Sequence, residues 1–111
     1  MLTLSAAQYN IVMHTCQDTA SVKRVLRQME EAGVSYDAAT FMTVFNVFAR
    51  SADYDKAVKV LQAAEQEGVM DARRVDKTLH NLHRRLRRQN AEGARTLKVA
   101  MAERRSGTGT T

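Results

Sequence analysis

The stretch HNLHRRLRRQ, residues 80–89, is where this sequence comes closest to chemistry. Arg84, Arg85, Arg87 and Arg88 follow His80 and His83, with Arg73, Arg74 and Lys77 one to three turns earlier. Leu79, Leu82 and Leu86 anchor one face of a helix, which leaves the guanidinium groups to fan over the others. A guanidinium matches two phosphate oxygens at once, so such a helix can hold a nucleic-acid backbone without reading its sequence. A solvated face, or one docked on an acidic protein, is the plainer account of the same residues. Six of the nine residues from His80 to Arg88 are basic or His, which tilts the expectation towards phosphate.

Other chemistries find fewer parts. His80 and His83 lie three apart on one helix, a spacing that can hold a metal, but the third candidate, Cys16, is far off in the sequence. His14 stands near Cys16, yet a thiol and an imidazole without an orienting group or an oxyanion site make a weak nucleophile. Glycine-rich phosphate loops are absent, as are paired carboxylates at useful spacing. The expectation is a non-enzymatic chain with no cofactor, no metal and no small-molecule substrate.

Charge supports the emphasis on the basic segment. Net charge is +5, but residues 1–72 carry six Lys/Arg against nine Asp/Glu, and residues 73–111 carry eleven against three. The halves are thus −3 and +8. An acidic body with a basic end calls for an anionic partner at that end.

With 111 residues, 44% of them hydrophobic and 26% charged, the chain fits one globular domain with a modest aliphatic core. The single cysteine excludes an internal disulfide framework and suits a reducing compartment. No apolar run approaches the ~20 residues of a membrane span. The opening MLTLSAAQYN has neither the basic region nor the apolar core of a signal peptide, and it lacks an arginine-rich transit pattern. Either the protein stays where it is made, or a leader is absent from this chain.

The elements that must position the arginines follow from periodicity. Val22, Val25, Leu26 and Met29 share one helical face, as do Phe41, Val44, Phe45 and Phe48. Tyr54, Ala57, Val58 and Leu61 repeat the spacing, and so do Val75, Leu79, Leu82 and Leu86. Tyr9, Val12 and Met13 mark a helix before these, and Ala94, Leu97 and Met101 one after. Six helices result, and no alternating strand pattern appears. Gly33 and Gly68 stand where left-handed C-caps are expected; Asp18 or Thr19, Asp37 and Asp53 stand at N-caps. Gly93 lies early in the sixth helix or marks its start.

The helix pairs also overlay on one another. SVKRVLRQMEEAGV matches DKAVKVLQAAEQEGV, and Tyr9 matches Phe41. Gly33 and Gly68 are 35 residues apart, and Tyr9 and Phe41 are 32 apart. A period in the mid-thirties marks a helical solenoid.

At these residues the chain resembles a pentatricopeptide repeat protein. An aromatic residue and Asn open the first helix of a unit (Tyr9-Asn10), the second helix ends in Gly-Val, and an acidic residue closes the unit. The resemblance divides a domain at 1–105 into repeats of about 6–37 and 38–72 and a degenerate third of 72–104. The third unit lacks the aromatic opener, and Tyr36 and Met70 replace the family's usual Pro. The SGTGTT tail, 106–111, has nothing to bury and is expected to be disordered.

The resemblance implies an all-α, right-handed helical-hairpin solenoid of three antiparallel helix pairs. It implies a single-stranded RNA partner, read one base per repeat, in mitochondria or plastids; without it, the cytoplasm is expected. The family's reading positions fall on Asn10 and Asp37 in the first unit, a pair that resembles the uracil-preferring combination. In the second unit they fall on Met42 and on Asp71 or Ala72, which departs from the code because Met42 has no donor. Phosphate contact falls to Arg73, Arg74, Lys77, Arg84, Arg85, Arg87 and Arg88. A scaffold that joins protein subunits of a larger assembly is the other expectation, and two full repeats reading few bases favour it. No membrane partner is expected.

Overall fold

One capping chemistry opens the helices. The computed structural model describes residues 4–16 and 18–107, in which the helices are α1 (Ala6–His14), α2 (Thr19–Glu31), α3 (Ala38–Arg50), α4 (Tyr54–Gln66), α5 (Ala72–Gln89) and α6 (Ala91–Gly107). Ser5 caps α1, and Asp18, Asp37, Asp53 and Asp71 cap the next four, each side chain accepting the backbone N–H three residues on. Asn90 does the same ahead of α6, its Oδ1 accepting from the Gly93 N–H at 3.0 Å. Each oxygen satisfies a donor that the first helical turn leaves without a partner. No strand occurs among the described residues.

The helix ends are equally regular. Gly33 (φ +73°) and Gly68 (φ +76°) turn left-handed, and the next amides, of Val34 and Val69, reach back to the Met29 and Ala64 carbonyls at 2.9 and 3.1 Å. This is the Schellman arrangement, and glycine adopts it without a Cβ clash. Between α3 and α4 the same turn is made by Ala52 at φ +61°, with the Asp53 N–H on the Phe48 carbonyl at 2.9 Å. Asp53 thus closes one helix and caps the next.

Packing follows the apolar stripes. All three phenylalanines lie on α3 and are buried, Phe45 at 2% exposure. Val75, Leu79, Leu82 and Leu86 are buried along α5 as their spacing requires. On α1 the inward face differs from the expected one. Tyr9 and Met13 are buried, but Val12 is 43% exposed, and Cys16 completes the face instead. α6 runs to Gly107, two residues into the segment expected to be disordered; the rest of that segment lies outside the described residues. No described helix is long and apolar enough to cross a membrane.

Two tyrosines mark joints between helices. The Tyr36 hydroxyl donates to Glu30 Oε1 (2.9 Å) on α2, while its ring meets Phe41 of α3 edge-on at 5.7 Å. Burial, then the Glu30 carboxylate, pushes Tyr36 up to about 12. Tyr54 of α4 lies against α6: a Cβ built on Gly93 would stand 2.4 Å from its ring, and Asn90 Nδ2 is 3.4 Å from its hydroxyl.

The three hairpins do not stack by one rule. α3 lies on both α1 and α2, so the second hairpin rests on the first through its first helix. The third breaks this pattern: among the described residues no Cα of α3 comes within 8 Å of α5, and the third hairpin rests on α4 through both α5 and α6. Composition explains the change. α5 has one apolar stripe, most of the rest of its surface being charged or polar, whereas Gly93 lets α6 approach Tyr54 of α4 closely. The result is a flat molecule of 47 × 34 × 17 Å.

Candidate nucleic-acid interface

The buried stripe of α5 decides where its charges go. With 3.6 residues per turn, Arg73, Lys77, Arg84 and Arg88 fall opposite Val75, Leu79, Leu82 and Leu86, and all four are exposed. Arg74 and Arg85 flank this row with Asn81 on one side; Arg87 and His80 flank it on the other. All seven Lys/Arg of the helix are exposed, and among the described residues none pairs with a carboxylate.

The one acidic residue within α5, Asp76, is already occupied. Arg104 of α6 donates from Nε to Asp76 Oδ1 at 2.6 Å, and its two terminal nitrogens grip both Glu65 oxygens at 2.8 and 2.9 Å. The clamp ties α4, α5 and α6 together, with the Arg104 side chain 13% exposed. Hydrogen bonds to Glu65, then to Asp76, raise Arg104 well above its ordinary value, and Glu65 is lowered in turn. Asp76 is thus bonded to Arg104, and no ion pair joins it to an arginine of its own helix among the described residues.

The cationic zone extends past the helix that sequence singled out. His83 is held below the ordinary histidine range, first by burial and then by the positive charges of Arg87, His80 and Lys98. Lys98 belongs to α6 and therefore borders the same zone, and it was missed because it lies outside any run of basic residues. At the start of α5 a depression of about 480 Å³ gathers Asp71, Arg73, Arg74, Lys77, Thr78 and Asn81. Asp71 spends one oxygen on the Arg74 N–H at 2.8 Å. One expected base-reading residue thus lies among three expected phosphate contacts.

The other base-reading positions divide. Asn10 and Asp37 are in direct contact, Asn10 Nδ2 donating to Asp37 Oδ1 at 3.2 Å. Thr40 joins them, its hydroxyl 2.9 Å from both Asn10 Oδ1 and Asp37 Oδ1. Sequence reasoning overlooked Thr40, although an Asp followed three residues later by Thr is a capping-box spacing. Asn10 is only 7% exposed, so both ends of its amide face inward on this network. The Thr40 backbone N–H holds the Asp37 carboxyl below the usual carboxylate range, despite its partial burial. Met42 is half-buried and packs on the core. It lies on α3, and the helix capped by Asp71 does not approach α3, so no second pair is assembled as the first is.

The remaining reactive side chains stay apart. Cys16 is buried with Sγ directed at the Val12 carbonyl (3.6 Å), while His14 is exposed. Among the described residues no three His, Cys, Asp or Glu side chains gather to hold a metal. No protein-family model matches this chain, and no curated protein or solved structure does so either.

Proposed function

We propose that this chain is a non-catalytic module that binds single-stranded RNA, with α5 laid along the phosphate backbone. The observation that carries the reading is the set of seven exposed cations on α5, none paired with a carboxylate among the described residues, while the helix's own acid, Asp76, is hydrogen-bonded to Arg104. Such an arrangement favours an external polyanion over an internal partner. RNA in place of another polyanion rests on the likeness of the first two hairpins to pentatricopeptide units, with their matched caps 35 residues apart. On this reading the hairpins form a short right-handed solenoid, and the family's mitochondrial or plastid setting comes with it.

Base readout is the lesser element of the proposal. The contact between Asn10 and Asp37 supports their acting as one unit, but a base must compete with Thr40 for the Asn10 amide. Backbone contact by α5 therefore supplies most of the affinity, and sequence preference is small. One observation favours a protein-binding scaffold instead: Ile11 and Val12 stand exposed together on α1, at 66% and 43%.

The test is salt. For single strands, log affinity falls with log salt by roughly 0.7 per neutralised phosphate. Replacing Arg84, Arg85, Arg87 and Arg88 by Gln should weaken binding to all RNA sequences alike and flatten the slope by about 3. Weak binding that is indifferent to salt in the unaltered chain would favour the scaffold.

A further inference from the structure

The row of cations on α5 has an end, and that end differs from its middle. Arg73 stands in the first turn of the helix, and the row runs from it through Lys77 and Arg84 to Arg88, about 22 Å at the α-helical rise. Back along the chain from Arg73 the next charged residues are Asp71 and Glu67, both acidic and both exposed. A polyanion that follows the arginines thus meets carboxylates where the row stops. Repulsion there favours a strand that finishes on α5 over one that passes across.

Concavity marks the same end. The depression of about 480 Å³ is lined by Asp71, Arg73, Arg74, Lys77, Thr78 and Asn81. Its size falls within the ~300–1,000 Å³ of small-molecule sites. Three cations against one carboxylate leave it at +2. Asp71 is tied to the Arg74 backbone N–H at 2.8 Å and forms no ion pair with the three cations among the described residues. A phosphate monoester carries about −1.5 to −2 near neutrality and offers three terminal oxygens to guanidinium forks, whereas a diester within a strand carries a single charge. Beyond the cations, the Thr78 hydroxyl donates to the Arg74 carbonyl at 2.8 Å and keeps its lone pairs, and the exposed Asn81 amide can both donate and accept. Neutral polar groups therefore follow the charged ones in the direction of Arg84, as sugar and base follow a terminal phosphate.

We propose that this depression takes a terminal phosphate monoester, that of a strand end or of a free mononucleotide. Its phosphate lies on Arg73, Arg74 and Lys77, and the adjoining nucleoside lies over Thr78 and Asn81. The strand end rests on the reading of α5 as an RNA-binding helix; a mononucleotide tests the depression without it.

The test follows backbone amide shifts of the full chain, labelled with ¹⁵N. Uridine 5′-monophosphate, uridine 3′-monophosphate, uridine 2′,3′-cyclic phosphate (a diester with one charge) and uridine are added in turn. Saturable shifts centred on Arg74, Lys77 and Asn81 are expected with a monophosphate. The cyclic diester should bind about tenfold or more weakly, as the loss of charge-assisted bonds implies. The double substitution Arg73→Gln with Lys77→Gln touches only exposed side chains and should remove that preference, while the Gln variant at Arg84, Arg85, Arg87 and Arg88 should keep it. For strands, a short RNA phosphorylated at its 5′ or 3′ end should outcompete one two nucleotides longer with hydroxyl ends, which carries about the same charge; the two phosphorylated forms tell which end is held. Monophosphate binding beside RNA binding that is indifferent to salt would support the depression and remove the RNA reading. Salt-dependent RNA binding that treats all ends alike, absence of saturable shifts with either monophosphate, equal affinity for the cyclic diester, or shifts centred on Arg84 and Arg88 would each overturn the proposal.

Discussion

At the scale of the residue, Gly93 shows how a missing side chain sets a helix contact. Alanine is ordinarily the better helix former by about 1 kcal/mol. Here its methyl would enter the Tyr54 ring, standing 2.4 Å from the nearest carbon. Gly93→Ala should therefore destabilise by ~1–3 kcal/mol, the usual cost of overpacking. Urea unfolding measures it, and a gain in stability would mean that the ring swings aside freely. The glycine itself was visible in the sequence, but its partner is 39 positions away, and no local pattern points to it. Asn10 and Asp37 present the reverse case. Family likeness paired them as reading positions, yet it could not reveal that Thr40 bonds to both and that Asn10 is buried, because burial depends on how α1 lies on α3.

Elements were the most legible level, since caps and stripes are local. The acidic N-caps and both glycine C-caps stand where their residue types require. α1 was harder to orient because Ile11 and Val12 give it apolar residues on more than one side, and both stay exposed. The turn from α3 to α4 carries a strain that the other two Schellman turns avoid, because Ala52 holds φ +61° with a Cβ present. Left-handed backbone costs a non-glycine residue roughly 1–2 kcal/mol. Ala52→Gly should raise stability by about 1 kcal/mol, since the gain is partly offset by the greater freedom of glycine in the unfolded chain. The shift of the thermal midpoint is the measurement. A fall would mean that the turn relaxes around Ala52 without strain.

For the whole molecule, the order of hairpins was readable and their stacking was not. A period of 35 residues announces repetition, but it says nothing of which helix the next unit will rest on, and here Gly93 lets α6 approach Tyr54 of α4. The Arg104 clamp was equally hidden, since Glu65, Asp76 and Arg104 lie in three different helices. It predicts a pH dependence. Glu65 is lowered below its ordinary value of 4.5 in the folded state, so its stabilisation is present above that value and lost as pH falls through the folded one. Arg104 remains charged throughout. Urea unfolding repeated at falling pH should show a steeper acid loss in the unaltered chain than in Glu65→Gln, which should itself be weaker by about 1 kcal/mol near neutrality. Parallel curves would remove the clamp as a source of stability. The joints have an optical consequence as well. The chain has no tryptophan and three tyrosines. Tyr9 is buried on α1, Tyr36 bridges α2 and α3, and Tyr54 lies where α4 meets α6. Tyrosine emission of the unlabelled chain thus comes from three side chains on three different helices or connections, two of them at joints between helices. If the hairpins separate in succession, that signal changes in steps, and exchanging one tyrosine for phenylalanine tells which joint each step belongs to.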